Sequence, residues 1–535
     1  MSVIQRALDD DARLKAQDPS AGLPQDELTA LQREADRLAP MCTADASSLV
    51  LAEGLHLRVR NILTAAAERV GLMVIDHDVH DPAVCSSFSA SAIAANLIEA
   101  LANGDAVAVA ALMEGLKRGG LGAQQITGIL TAKDADGKPG LYRALCEGHA
   151  TAVTAFMDGL KRAGLSPQQI GEVLAAKRSD GVPGLGMALY NGHATAVTAF
   201  MEGLKGTGLR PQQIVELLAA KSFGGTPGLY MALQNGQATA VTAFMDGLKG
   251  AGLSTQQIGE LIAAKRSDGV PGLLIALLDG HATAVTAFMG GLKGAGLSTE
   301  QIGELLAAKR SDGDPGLFWA LHDGHAAAVT AFMGDVKKLG FDPQHLAAIV
   351  SAKDAAGSPG LHLALQGGHA DAVAAFMEGL KGLALQPEQI ADIVAARLAD
   401  GVPGLYMALQ NGHAAAVTAF MSSLNQGSDE VYERLRDATR LPKALSRLSA
   451  EYAIGTDLDL NPQQIADIVA ARNAEGMPGL RVAQENGHAD AVEAYIAGLT
   501  ILRHENRVTH QQFEDLIGAP STGLTSAQCV VSLGG

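Results

Sequence analysis

The chain has 535 residues with 40 Lys+Arg against 57 Asp+Glu, a formal charge of -17; that balance repels a phosphate backbone and argues against nucleic acid as a partner. A hydrophobic share of 47% with 4% aromatics and 62 glycines describes helices packed closely through small side chains and stopped often, not a sheet protein. Cys42, Cys85, Cys146 and Cys529 are scattered without a Cys-x-x-Cys pair, so no disulfide framework, no metal site and no cofactor are expected, and a reducing compartment is the simpler reading.

Residues 1–40 mix charges from Arg6 onward and lack the apolar core of a cleavable signal peptide. They read as a flexible segment and a candidate secretion signal. No apolar run is long enough for a membrane span. Residues 41–94 read as a small helical module or cap. It contains "VIDHDVHDPAVC", the densest cluster of ligand-type side chains, with Asp76, His77, Asp78, His80 and Cys85. Asp-His-Asp before a proline reads as a solvated loop, since no second ligand pair accompanies it. Cys42, His77 and Asp76 or Asp78 are the available parts of a thiol-protease site. The region from Met41 to Ala95 is short for a catalytic cleft, so an enzyme is carried here only as an alternative.

From residue 95 the chain repeats. The glycine of an Asn-Gly-His tripeptide or its variant stands at Gly104, Gly148, Gly192, Gly236, Gly280, Gly324, Gly368 and Gly412, with a constant period of 44 residues. A ninth copy has Gly487, displaced by an insertion of 31 residues. Each copy spells three short helices. The first follows Pro-Gly and stops at the tripeptide glycine. The second, "HATAVTAFMEGLKG", sets Val197, Phe200, Met201 and Leu204 on one face. The third, "LSPQQIGEVLAAKR", has Ser166 as N-cap, Pro167 at the first helical position and Gln169 as capping-box partner. Lys177 and Arg178 are expected at its C-terminal end, where the dipole favours cations. Such a unit cannot bury both faces alone, so neighbours must stack. The expected fold is all-α, a helical solenoid of 44-residue three-helix repeats. The array covers 95–424, a helical insertion 425–457, the last repeats and C-terminal cap 458–517, and a disordered tail 518–535.

The segment "DGVPGLYMALQNGHAAAVTAFMSSL" resembles the first two helices of an ankyrin repeat, with Pro403, Leu405, Ala408, Gly412, His413 and Val417 at the matching positions. Pro-Gly-Leu replaces the usual Thr-Pro-Leu-His, and a third helix stands where an ankyrin repeat projects its hairpin. This variant is similar to the ankyrin region of bacterial type III secretion effectors of the enterotoxin-2-like cysteine protease and arginine ADP-riboxanase groups. The resemblance implies an array that presents a host protein, and delivery without a cleavable signal into the host cytoplasm. In those families the array serves a catalytic domain of some two hundred residues; here about 95 residues precede the first repeat.

The histidines of the tripeptide, His149, His193, His281, His325, His369, His413 and His488, alternate with Asp105 and Gln237. One stack spacing apart, they cannot share a metal; they read as hydrogen-bonding groups at the start of the second helix. Recognition is expected instead where the repeats differ. The first variable column after Pro-Gly-Leu includes Tyr142, Tyr230, Leu274, Phe318, His362 and Tyr406, and four residues further on stand Tyr190, Gln234, His322 and Gln410. These two columns share a helical face and suit a protein partner. The column between them, with Trp319, reads as core. The expected function is a non-catalytic, monomeric protein-binding scaffold, with a secreted effector as its setting. The alternatives are an effector enzyme using the repeats to recruit substrate, and a structural scaffold in the bacterial cytoplasm.

Overall fold

The computed structural model describes residues 90–118, 121–222, 224–310, 312–425 and 458–518. They form nine repeats of three α-helices, with one 3-10 turn at Lys337–Leu339 and no strand among the described residues. The chain divides into two compact bodies, Met1–Phe223 with Gly247–Leu253, and Gly224–Asp246 with Ser254–Gly535. Each body is a stack of repeats, and the fold is the all-α, ankyrin-like helical solenoid expected. Repeats are numbered here by their tripeptide glycine, from repeat 1 at Gly104 to repeat 9 at Gly487.

Repeat 2 shows how the sequence dictates each element. Pro139, in extended conformation, precedes a first helix over Gly140–Glu147. Gly148 ends it at φ 81°, donating its N–H to the carbonyls of Ala144 and Leu145, a backbone state that costs an L side chain about 1–2 kcal/mol. The second helix, Ala150–Arg162, carries the core: Val153, Phe156, Met157 and Leu160 are fully buried. The third, Pro167–Leu174, opens with the expected capping box. Gln169 N–H donates to Ser166 Oγ at 3.4 Å, and Ser166 N–H to Gln169 Oε1 at 3.0 Å.

The cation expectation is corrected. The third helix ends at Leu174, and Lys177 and Arg178 lie beyond it in a tight turn. Lys177 bridges to Pro183 in antiparallel fashion, and Arg178 N–H donates to Val182 O at 3.0 Å. A vestige of the hairpin therefore survives, and the third helix is added before it instead of replacing it. In repeats 6, 7 and 8 the turn begins differently, with Ala352, Ala396 and Ala471 at φ 41° to 44°. Their carbonyls accept the N–H of Gly360, Gly404 and Gly479 at 2.8 to 3.1 Å, which offsets the strain.

Small residues set the stacking distance. A β-carbon at Gly184 would stand 3.0 Å from Tyr142 Cα, and one at Gly203 would stand 2.6 Å from Met157 Cγ. The same two contacts recur in the second body at Gly404 on His362 and Gly291 on Met245. Every repeat after the first also buries one aromatic ring of its second helix, Phe244, Phe288, Phe332, Phe376 and Phe420 among them. In repeat 9 the ring is Tyr495, whose hydroxyl donates to Val469 O at 2.5 Å.

The insertion falls inside repeat 8, between its second helix, Ala414–Ser423, and its third, Pro462–Val469. The expected helical insertion, most of the module expected at 41–94 and most of the expected tail lie outside the described residues; residues 90–94 belong to the first helix of repeat 1, Ala90–Ala102.

Candidate protein-binding face

On the first helix of repeat 2, Leu141, Tyr142, Ala144 and Leu145 are buried, while Arg143, Cys146 and Glu147 reach the surface. The exposed positions are spaced i, i+3, i+4, so they form one narrow face. Repeats 3, 6, 7 and 8 copy this division; repeats 4 and 5 also bury Met231 and Ile275, and repeat 9 exposes Arg481 and buries Val482. The division reverses part of the expectation.

The first variable column lies inside the stack. Tyr142, Tyr230, Leu274, Phe318 and Tyr406 are buried, and His362 is fully so. They are removed as direct contacts for a partner. The next repeat's Pro-Gly-Leu glycine sits on their backbone, and in three repeats an arginine of the turn closes over the first helix. Arg178 lies 5.7 Å from the Tyr142 ring centroid and donates to its hydroxyl at 3.1 Å; Arg266 lies 5.3 Å from the Tyr230 ring. Burial pushes both tyrosine hydroxyls above their ordinary pKa. Each arginine also holds an aspartate of its own turn. Asp180 and Asp268 are thereby lowered to about 2. His362 Nδ1–H donates to Ala396 O at 3.1 Å, and burial lowers its pKa.

The other columns supply the surface. Tyr190 and His322 are exposed, and Gln234 and Gln410 are half-buried. The column expected as core is core only in part: Met231, Ile275 and Val482 are buried, while Met187, Trp319, Leu363 and Met407 are half-buried. Phe318, Trp319 and His322 form an aromatic cluster, with Trp319 edge-on to both neighbours at 5.5 and 5.3 Å. Arg310 covers Trp319 at 5.6 Å, and Trp319 packs against the cluster of Tyr230, Val270, Leu274 and Ile275. Its Nε1 has no hydrogen-bond partner among the described residues. Sequence reasoning missed this column because its residues are the most apolar of the three. The signal that could have found it is the near-invariant Leu-x-x-Ala-Leu frame, which marks the buried arc and leaves the positions beside it outside.

The repeated histidines join successive repeats. His149 Nε2 lies 2.9 Å from Ala102 O, His193 Nε2 3.0 Å from Cys146 O, and His281 Nε2 2.9 Å from Gln234 O. Their rings also cover the tripeptide glycine of the preceding repeat: a β-carbon at Gly148 would stand 2.7 Å from His193 Nδ1. The same fit places His325 on Gly280, His369 on Gly324, His413 on Gly368 and His488 on Gly412. The tripeptide asparagine adds a second link, with Asn191 donating to Cys146 O at 2.9 Å and Asn411 to Gln366 O at 3.0 Å.

Cys42, His77 and Asp78 lie outside the described residues. Among the described residues no group of three or more His, Cys, Asp or Glu could hold a metal ion, and no helix is long and apolar enough to cross a membrane. A cavity of about 550 Å³ opens in the first body between the third helices of repeats 2 and 3, with Leu145, Leu174 and Phe200 in its wall and Gln168, Glu172 and Arg210 at its rim.

No protein-family model matches the chain, and no curated protein matches it. Among solved structures it is similar to the ankyrin repeat domain of Bcl-3, described as a unique member of the IkappaB protein family, at 18% identity and a TM-score of 0.33. That likeness covers 50% of this chain and 92% of the other; the fold is assigned from the repeat geometry itself.

Proposed function

We propose that the protein is a non-catalytic scaffold that binds another protein through the exposed face of its first helices, acting as a monomer. The observation that carries this reading is the set of half-buried apolar residues Met187, Trp319, Leu363 and Met407, standing where the repeats differ while the surrounding frame is repeated almost verbatim. Stacking needs the frame; it does not need these side chains to vary. Large, partly exposed apolar groups with polar neighbours are the composition that dominates interface energetics.

The Pro-Gly-Leu-x-x-Ala-Leu-x-x-Gly-His pattern supports a further step, that the scaffold is a type III secreted effector engaging a host protein in the host cytoplasm. A reporter fused to residues 1–40 and assayed under secretion-inducing conditions tests that step alone; retention in the bacterium would favour an intrabacterial scaffold. The binding face is tested separately. A photo-crosslinking residue at Gln234, His322 or Gln366 should form adducts with a partner, and one at exposed Thr283 on the second helix should not. Equal adducts from both sides would overturn the assignment of the face.

A further inference from the structure

The residue before the tripeptide glycine is asparagine in five repeats; Glu147 and Gly367 replace it in repeats 2 and 7, and repeats 5 and 6 place an aspartate there, Asp279 and Asp323. In repeats 8 and 9 the asparagine reaches the preceding repeat, with Asn411 donating to Gln366 O at 3.0 Å and Asn486 to Gln410 O at 3.2 Å. An ionised carboxylate cannot donate this bond. Both also cap the C-terminal end of a first helix, Gly272–Leu278 and Gly316–His322, where the helix dipole disfavours negative charge. Glu147 occupies the same place in repeat 2 but is paired with Arg143 at 3.3 Å. Among the described residues no lysine or arginine is bonded to Asp279 or Asp323; Asp323 shares a hydrogen bond with His322 at 2.6 Å, and His281 and His325 face Asp279.

The two carboxylates flank the most apolar stretch of the exposed face. Leu278 stands beside Asp279 and Trp319 stands four residues before Asp323 in the adjacent repeat; both are partly exposed and pack on the buried cluster of Tyr230, Val270, Leu274 and Ile275. On the other edge Arg266 and Arg310 are already neutralised by Asp268 and Asp312. The charge left without a lysine or arginine beside the apolar patch is therefore negative, on a chain whose formal charge is -17. Burial raises the Asp279 carboxyl above its ordinary pKa, so a cation brought to it would relieve an existing cost.

We infer that this patch docks a peptide segment of the partner protein in which an arginine or lysine stands close to an apolar or aromatic side chain, the cation meeting Asp279 and Asp323 and the apolar group meeting Leu278 and Trp319. This rests on the scaffold reading above and gives the partner its chemistry. Exchanging a locally favourable residue for an unfavourable one is the mark of a site kept for function.

The test pans a random twelve-residue peptide display library against the full chain and against an Asp279→Asn, Asp323→Asn double variant. Asparagine is native at this place in other repeats, so the variant keeps the fold. Wild type should enrich peptides pairing Arg or Lys with an apolar residue. Synthesised, they should shift the fluorescence of Trp319, the one tryptophan of the chain, and bind the variant about tenfold more weakly or worse. The variant should melt at or above the wild-type midpoint, because it regains the cross-repeat bond. Enrichment of acidic or uncharged peptides, equal affinity for both proteins, no enrichment, or a lowered midpoint would each overturn the inference. Should the peptides fail while crosslinks from Gln234 and Gln366 persist, the scaffold reading stands and this inference alone falls.

Discussion

Along the second helices, a β-carbon added at Gly203 would stand 2.6 Å from Met157 Cγ; along the third helices, one added at Gly171 meets nothing nearer than Leu209 Cδ2 at 3.5 Å. The two layers belong to the same repeats yet meet their neighbours differently. Second helices interlock below ordinary contact distance and, from repeat 2 onward, each buries an aromatic ring. Third helices touch at van der Waals distance and tolerate Val215 or Ala391 where their neighbours have glycine. Cohesion of the stack therefore belongs to the second layer, and the third is a looser outer course held largely by its caps.

That contrast can be broken most forcefully at a ring. Phe332→Ala, in the second helix of repeat 6, should lower the unfolding free energy by about 3–5 kcal/mol, measured by denaturant titration; a loss below about 1 kcal/mol would place cohesion elsewhere. Next, the same substitution in the two layers should give opposite signs. Gly203→Ala should destabilise by about 1–3 kcal/mol, because the atoms it strikes are the rigid base of the Met157 side chain. Gly171→Ala should stabilise by roughly 0.5–1 kcal/mol, since a helical glycine is replaced where space exists. Like signs would erase the distinction between layers.

The smallest effect concerns the turns that follow the third helices. Asp268 is held at about 2 by the Arg266 guanidinium, against about 3.9 for a free aspartate. A depressed carboxylate contributes stability that is complete above the unfolded pKa and is lost as pH falls from about 4 toward 2. Asp268→Asn should flatten that limb of the stability curve and leave the neutral plateau nearly unchanged, as the pair is solvent-exposed. Thermal midpoints collected between pH 2 and 7 would reveal a steeper limb if the turn were instead a rigid anchor.

The period, the three helices and the Ser166–Gln169 cap were legible because each is written within a few residues of itself. The end of the third helix was less so: Lys177 and Arg178 suit a helix C-terminus by charge, but the bonds of the turn, visible only across Pro183, claim them first. The binding face was half legible. Tyr142 and Cys146 do lie four residues apart, yet the buried arc set by Leu141, Ala144 and Leu145 sweeps over Tyr142, and the arginine that closes above it comes from the turn that follows the third helix of the same repeat. A helix of eight residues offers too few turns for periodicity to say which side its neighbours occupy. The link from His149 to Ala102 spans a separation of 47 residues, and local pattern carries no trace of such a bond.

The insertion in repeat 8 leaves the stack beyond it unaltered. A β-carbon at Gly412 would still meet His488, one at Gly498 would still meet Met421, and Leu458 and Leu460 are buried as the chain returns. Docking of repeat 9 is thus governed by surface complementarity and not by the length of polypeptide between the partners. Since closing a flexible loop costs only about 0.6 kcal/mol more for each doubling of its length, the bond between the second and third helices is a permissive splice point. Foreign sequence, a reporter or a second binding module could be carried there without disturbing register, and an array of this design can acquire passengers by simple insertion.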